Sequence, residues 1–409
     1  MKKNPKEADN HFMSKKNTNS NKKTIFGIIV IILCLCGVAS GILATVSSIK
    51  KSKTEKTVRI AFYGLSEDYV KILQDKIPRE EKITLKCDIL SEGNIDLAAL
   101  KEKYDMLFTW KGEVTDTLEA SSAEIPSKLL DTIPSSLKNK KCIPILLDHC
   151  ELAYNKAVVQ NTIENLPLSL PAFYKYLNQA KNQVFSPFFC AGGEDRILAA
   201  FVGSLIEASG GVGAYKNLIN ELRSGTPFEE LLNKDLGKTS LASVLDMLKS
   251  WPEEGLTHPA WYNGQKNDLI YFAHDNHLGV FFTFLHDHRS IPYETISRYE
   301  AFVLPPVSST TEFGIIAPAI SCMLLTDNSN CKRYLAEFFT EETQIELSNL
   351  TKLAPVHLRA QAYDKQADDV RYWAASCPGG ALPDIYLAAF QRNPAGLVEF
   401  AKNIRNVVK

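Results

Sequence analysis

Four of the eight histidines, His274, His277, His286 and His288, fall within 15 residues, and His286-Asp287-His288 brackets a carboxylate between two imidazoles. Neutral imidazoles with a carboxylate suit zinc or nickel. On a strand, however, residues i and i+2 share a face and Asp287 would point to the other. A metal receptor therefore competes with a solvated His-rich edge from which His286 reaches a cleft. Asp148-His149 lies between two apolar runs. There a carboxylate either accepts two ligand hydroxyls or fixes a tight connection by hydrogen bonding. Tyr63 and Trp110 each follow an apolar run. Aromatic faces at such positions either stack on a ring with apolar C–H faces, such as a sugar, or pack under their own loops.

Other chemistries find no residues to carry them. The sequence has no GxSxG, HExxH or Walker loop, and no Rossmann fingerprint between strand and helix. Gly210-Gly211-Val212-Gly213 follows a helical pattern and lacks the Lys-Ser/Thr of a phosphate loop, so it reads as a helix C-cap. No enzyme and no cofactor is expected. The seven cysteines beyond residue 57 are odd in number and irregularly spaced, which argues against a disulfide framework. The 409 residues carry a formal charge of −1. Residues 1–23 hold +5 and residues 50–56 hold +3, which leaves −9 on 57–409. An acidic body without a basic stripe excludes nucleic acid as a partner.

From Ile25 to Val46 run 22 residues without a charge, Asn, Gln or Pro. As a helix this stretch is about 33 Å long, enough for a hydrocarbon core of about 30 Å. A cleavable signal would be shorter, about 7–15 apolar residues. Leu35 stands where a lipoprotein site before Cys36 has a small residue. The expectation is a disordered basic tail over 1–23 and an anchor or uncleaved signal over 24–49. The membrane partner is then the 25–46 span, with the body outside the cytoplasm.

The body must position the candidate residues. Val58–Phe62, Ile83–Leu90 and Tyr104–Phe108 read as strands, with helices over Glu67–Ile77 and Asp96–Lys103 between them. Strand–helix alternation implies a parallel sheet with helices on its faces. Pro144–Leu147 and Leu152–Tyr154 are further strands, interrupted by Asp148-His149. Helical spacing follows over 170–182, 195–209, 214–223, 227–235 and 240–250, and Asn276–Phe284 has a buried-strand pattern. Asp195 is expected to cap the helix it precedes.

These segments resemble, in order, the extracellular solute-binding proteins of ABC importers, the maltose-type sugar-binding family. Tyr104-Asp105-Met106-Leu107-Phe108 is similar to its YD(I/V) strand. Ile143-Pro144-Ile145 through Leu152-Ala153-Tyr154-Asn155-Lys156 is similar to its vP…YNK crossover. Leu166–Phe173 stands where the family has a PPxTWeEf segment, without the Trp and Glu. Ala208–Gly211, Phe272–Val280, Val303–Pro306, Lys332–Leu350 and Ala354-Pro355-Val356 continue the likeness. The resemblance implies an α/β, two-lobed, periplasmic-binding-protein-like (type II) fold with strand hinges. One lobe would combine 57–150 with 304–352, the other 151–303 with 353–409. It implies a carbohydrate-like solute held between the lobes by Tyr63, Trp110, Asp148, His149, Phe189, Glu194, Phe284 and His286, and permease subunits as partners. A surface adhesin or sensor built on the same fold is the alternative outside transport.

Overall fold

The computed structural model describes residues 57–162 and 165–409. The expected tail, span and charged linker lie outside these residues. Twelve strands are described: β1 (Thr57–Tyr63), β2 (Thr84–Leu90), β3 (Met106–Trp110), β4 (Cys142–Leu147), β5 (Cys150–Asn155), β6 (Ser186–Cys190), β7 (Leu278–Phe284), β8 (Tyr299–Phe302), β9 (Ile315–Ile316), β10 (Ala319–Leu324), β11 (Ala354–Pro355) and β12 (Ala381–Leu382). They form a six-stranded sheet in the order β11-β4-β10-β3-β1-β2, a four-stranded sheet β6-β7-β5-β8, and a small ribbon β12-β9. The architecture is two-lobed α/β, one sheet at the centre of each lobe.

The first sheet is parallel only where strand and helix alternate. β1 pairs parallel with β2 and β3, whereas β10 runs antiparallel to both β3 and β4. The purely parallel sheet expected from the first three strands is corrected by β10, which returns from the other lobe and enters in the opposite direction. β3, β4 and β5 are buried along their whole length, and so is the apolar run Leu278–Phe284 of β7. Strands covered on both faces require that composition. β6 ends at Phe188-Phe189-Cys190, an apolar run before the Gly192-Gly193 turn, whereas β8 and the helix Lys266–His274 carry no such local pattern.

A long helix, Asp195–Arg223, forms the apolar centre of the second lobe. By length and composition it could cross a membrane, but it is deeply buried, as a core helix is. It joins the two helices expected over 195–209 and 214–223 through a kink at Gly211 (φ 79°). A side chain there would be strained by the positive φ, and its Cβ would lie 2.7 Å from the Glu312 carbonyl oxygen. The glycine thus breaks the helical path, as the expected helix C-cap there implies, and admits a crossing loop. Glu194, not Asp195, is the N-cap residue, and Asp195 is paired with Arg405 at 2.7 Å.

The chain passes between the sheets at three places: through Asp148-His149 from β4 to β5, through residues 303–318 from β8 to β10, and beyond β11 into the C-terminal tail. The second passage is fastened to the long helix. Val307 N–H donates to the Ala208 carbonyl at 2.7 Å, Val212 N–H to the Glu312 carbonyl at 3.1 Å, and Gly314 N–H to Glu207 Oε1 at 2.6 Å. Glu207 is buried, and burial pushes its carboxyl up to about 7 although the Gly314 bond opposes the shift.

A carboxyl that holds its proton more tightly when folded costs stability as pH rises from its unfolded value, about 4.5, through 7. Glu207→Gln keeps the acceptor for Gly314 and removes the titration. The variant should therefore gain on the parent by about 3 kcal/mol between pH 4.5 and 7.5. Urea melts across that range test this, and parallel curves for the two proteins would refute it.

Candidate functional site

The two-residue crossing at Asp148-His149 places a fully buried carboxylate between the lobes. Asp148 Oδ1 accepts from the backbone N–H of His149 (3.0 Å) and of His286 (3.2 Å), and Oδ2 is 2.7 Å from His286 Nδ1. His286 arrives from the one-turn helix Leu285–His288 at the end of β7, which the Leu285 N–H ties to the His149 carbonyl at 2.8 Å. Burial would raise the Asp148 carboxyl. The charge and hydrogen bond of His286, the charge of Arg196 and the His149 N–H outweigh it and hold the carboxyl below its ordinary value. Burial would likewise lower the His286 imidazole, but the charge and hydrogen bond of Asp148 raise it on balance.

Arg196 stands at the centre of this region. It lies in the first turn of the long helix, and its Nε and Nη2 donate to Asp384 Oδ2 at 2.9 and 2.7 Å. Its guanidinium carbon lies 5.1 Å from the ring centre of Phe284, 5.4 Å from Tyr386 and 5.6 Å from Trp110. Burial would lower its pKa, but Asp384 and then Asp148 keep it above the ordinary arginine value. Tyr69, from the helix Glu67–Gln74, meets Trp110 edge-on with ring centres 6.1 Å apart. Solvent reaches the cluster at Tyr69, Arg196, His286 and Asp287, all half-buried.

Trp110, Asp148, Phe284 and His286 are thus brought together, with the Phe284 and His286 rings 5.7 Å apart. The other candidates have different surroundings. The Tyr63 hydroxyl is committed to Gly93 (O at 2.7 Å, N at 3.2 Å) and to the Gln391 carbonyl (3.2 Å). His149 lies against Trp373, ring centres 5.2 Å apart, with Nδ1 3.5 Å from Glu151. Phe189 packs on Phe272 and against Gly264, and Glu194 precedes the long helix without a side-chain capping bond.

The histidine cluster is divided among separate partners. His286 pairs with Asp148, His288 Nδ1 with Glu151, and His274 Nδ1 with Thr295 Oγ1 at 3.0 Å, while Asp287 faces Lys266. Among the described residues no group of three or more His, Cys, Asp or Glu side chains is arranged to hold a metal ion. Burial would raise the Glu151 carboxyl, but the charge of His288 and hydrogen bonds from His149 and His288 hold it low.

Part of the space at the ends of β1 and β3 is filled by the chain itself. A π-helical turn, Tyr386–Phe390, and the following Gln391 enter there. Gln391 Nε2 donates to Thr109 Oγ1 (3.3 Å) and the Trp110 carbonyl (3.1 Å), and its Oε1 accepts from Val114 N–H at 3.1 Å. A Cβ on Gly112 would meet the Leu387 carbonyl oxygen at 2.1 Å, so only glycine fits this contact. The largest groove described, about 740 Å³ along the helix Glu341–Thr351, shares no residue with the cluster.

Sequence reasoning missed Arg196, Asp384 and Tyr69. A signal existed for the first: a cation in the first turn of a helix opposes the helix dipole unless something pairs with it. Tyr69 reads as one more apolar residue of an amphipathic helix, and nothing local marks Asp384.

Comparison with known proteins adds the class. No family model matches the sequence, and no curated relative does. The fold matches solved solute-binding proteins. The bacterial solute receptor AcbH, described as having an exclusive preference for β-D-galactopyranose, aligns with a TM-score of 0.68 at 12% identity, over 86% of this chain and 92% of that one. An open-conformation binding protein from Bacillus subtilis aligns at 0.65 and 14%, over 86% and 95%. A Bacillus licheniformis sugar transporter in complex with stachyose aligns at 0.57 and 14%, over 86% and 97%. The chain has the fold of two-lobed solute-binding proteins.

The Asp148–His286 pair has a pH window. The contribution of a depressed Asp148 is present above about pH 3.9 and lost as pH falls through its folded value. That of a raised His286 is full below about pH 6.5 and lost as pH rises through its folded value. Asp148→Asn should cost about 3 kcal/mol inside this window and less on either side. Denaturation from pH 3 to 9 measures the difference, and a flat profile would count against the pairing.

Proposed function

We propose that this chain is an extracytoplasmic solute-binding protein that captures a carbohydrate-like small solute between its lobes and delivers it to an ABC importer. The observation that carries the reading is the convergence, at the crossing between two sheets, of the Trp110 and Phe284 rings, the edge of Tyr69 and the Arg196 guanidinium. Aromatic faces beside fixed polar groups are what a sugar ring requires. The protein performs no bond chemistry in this reading. Binding favours the closed arrangement of the lobes, and closure is the state a permease would recognise. The solved proteins of like fold support it, among them a secreted solute-binding lipoprotein from Streptomyces coelicolor. The apolar run 25–46 would hold the body at the outer face of the membrane and raise its effective concentration near the transporter.

A second reading, a surface adhesin or sensor on the same fold, is favoured by the Gln391 and Leu387 contacts that already join the lobes. Native mass spectrometry of the full-length protein distinguishes the two. The receptor reading expects a retained solute that disappears in Tyr69→Ala. Tyr69 is the better probe because Trp110 is only 6% exposed and belongs to the core. A bare protein that no mono- or oligosaccharide stabilises against heat would leave only the second reading; a solute at 100 times its dissociation constant should add about 2.7 kcal/mol.

A further inference from the structure

The unused hydrogen-bonding capacity that solvent reaches in the cluster lies mainly on donors. Arg196 uses Nε and Nη2 on Asp384, and among the described residues nothing bonds its Nη1. Nor does any described residue bond the Trp110 indole N–H or the Tyr69 hydroxyl, and none of these three atoms is sealed from solvent. Trp110 is only 6% exposed, and its indole N–H is among the few of its atoms that solvent still reaches.

Acceptors are in the opposite condition. Asp148 takes three N–H groups, Asp384 takes Arg196 and the Leu387 N–H, and Asp287 takes Lys266 on Oδ1, while its Oδ2, 2.9 Å from the same ammonium, is sealed from solvent and accepts no hydrogen bond. A neutral polyol brings a proton with every hydroxyl, and these protons would meet carboxylates already engaged. A donor left unpaired in a closed site loses affinity. A carboxylate only accepts, and it matches a guanidinium edge flanked by further N–H and O–H donors. The local charges are balanced in pairs, Arg196 with Asp384, His286 with Asp148 and Lys266 with Asp287. Asp68 is exposed, where solvent and salt screen it, and Glu92, also exposed, acts on the Tyr386 hydroxyl.

We infer that the solute carries an acidic group, a uronic acid being the sugar of that chemistry, and that Arg196 and the Trp110 indole N–H select it by binding its carboxylate. This rests on the solute-receptor reading above and specifies its ligand class.

The test is calorimetry and thermal shift on the full-length protein with D-galacturonate and D-glucuronate. D-galactose, D-glucose and the methyl ester of galacturonic acid serve as uncharged controls. The acids should bind at least tenfold more tightly than any control. Trp110→Phe keeps the ring and removes the N–H, and should weaken the acids about tenfold. Arg196→Lys keeps the charge beside Asp384 and should weaken them at least as much by losing the planar edge. Neutral sugars binding as tightly as the acids, or acid affinity unchanged in Trp110→Phe, would overturn the inference and leave the receptor reading standing. A response to neither class would overturn both.

Discussion

The arrangement depends on a carboxylate that cannot be left alone. Two residues, Asp148 and His149, carry the chain from the first sheet to the second, and the Asp148 side chain is fully buried in the passage. An ionised carboxylate in such a place is tolerated only with several donors around it. Those donors are the next backbone N–H and both the backbone and ring nitrogens of His286, which follows β7 at the end of the second sheet where β5 begins. Satisfying one buried charge therefore fixes the end of β7 against the crossing. It also sets Phe284, two residues earlier, beside Arg196. A second carboxylate, Glu151, repeats the device one step into β5 with His149 and His288.

Arg196 obeys the same logic with the sign reversed. Its charge is matched by Asp384, which comes from the C-terminal tail, while its flat faces are taken up by rings from β3, β7 and the π-helical turn. Guanidinium groups suit this environment because they are weakly hydrated and stack on aromatic faces. The cation thus gathers segments of distant sequence position around one point, and its unused Nη1 edge is the part still able to meet a guest.

Much of the framework was legible because it is written locally. The strands β1, β2, β4, β5 and β7 lie close to the apolar runs that announced them, and Ser66 and Asp96 cap the helices they precede. β3 begins two residues later than read, since Tyr104 and Asp105 form the turn into it. Elements decided by partners were not legible. β8, with the pattern Tyr-Glu-Ala-Phe, is a strand because β5 offers it an edge. β10 runs against its neighbours because of where the chain returns. The histidines show the limit at the site: their spacing advertises a chelate, yet the imidazoles of His274, His286 and His288 are spent on different partners contributed by other segments. Arg196 and Asp384 are 188 positions apart, and only the fold makes them a pair.

The filled ends of β1 and β3 bear on the entry of a guest. Gln391 bonds three groups of β3 and the residues after it, and the Leu387 carbonyl stands where any side chain on Gly112 would be. Each buried amide bond must be exchanged for water if the lobes part along this seam, at a net cost of about 1 kcal/mol per bond. A guest entering along this seam would have to displace these bonds. The seam and the unpartnered donor thus meet in one residue: Gln391 holds the Trp110 carbonyl, while the Trp110 indole N–H has no partner among the described residues.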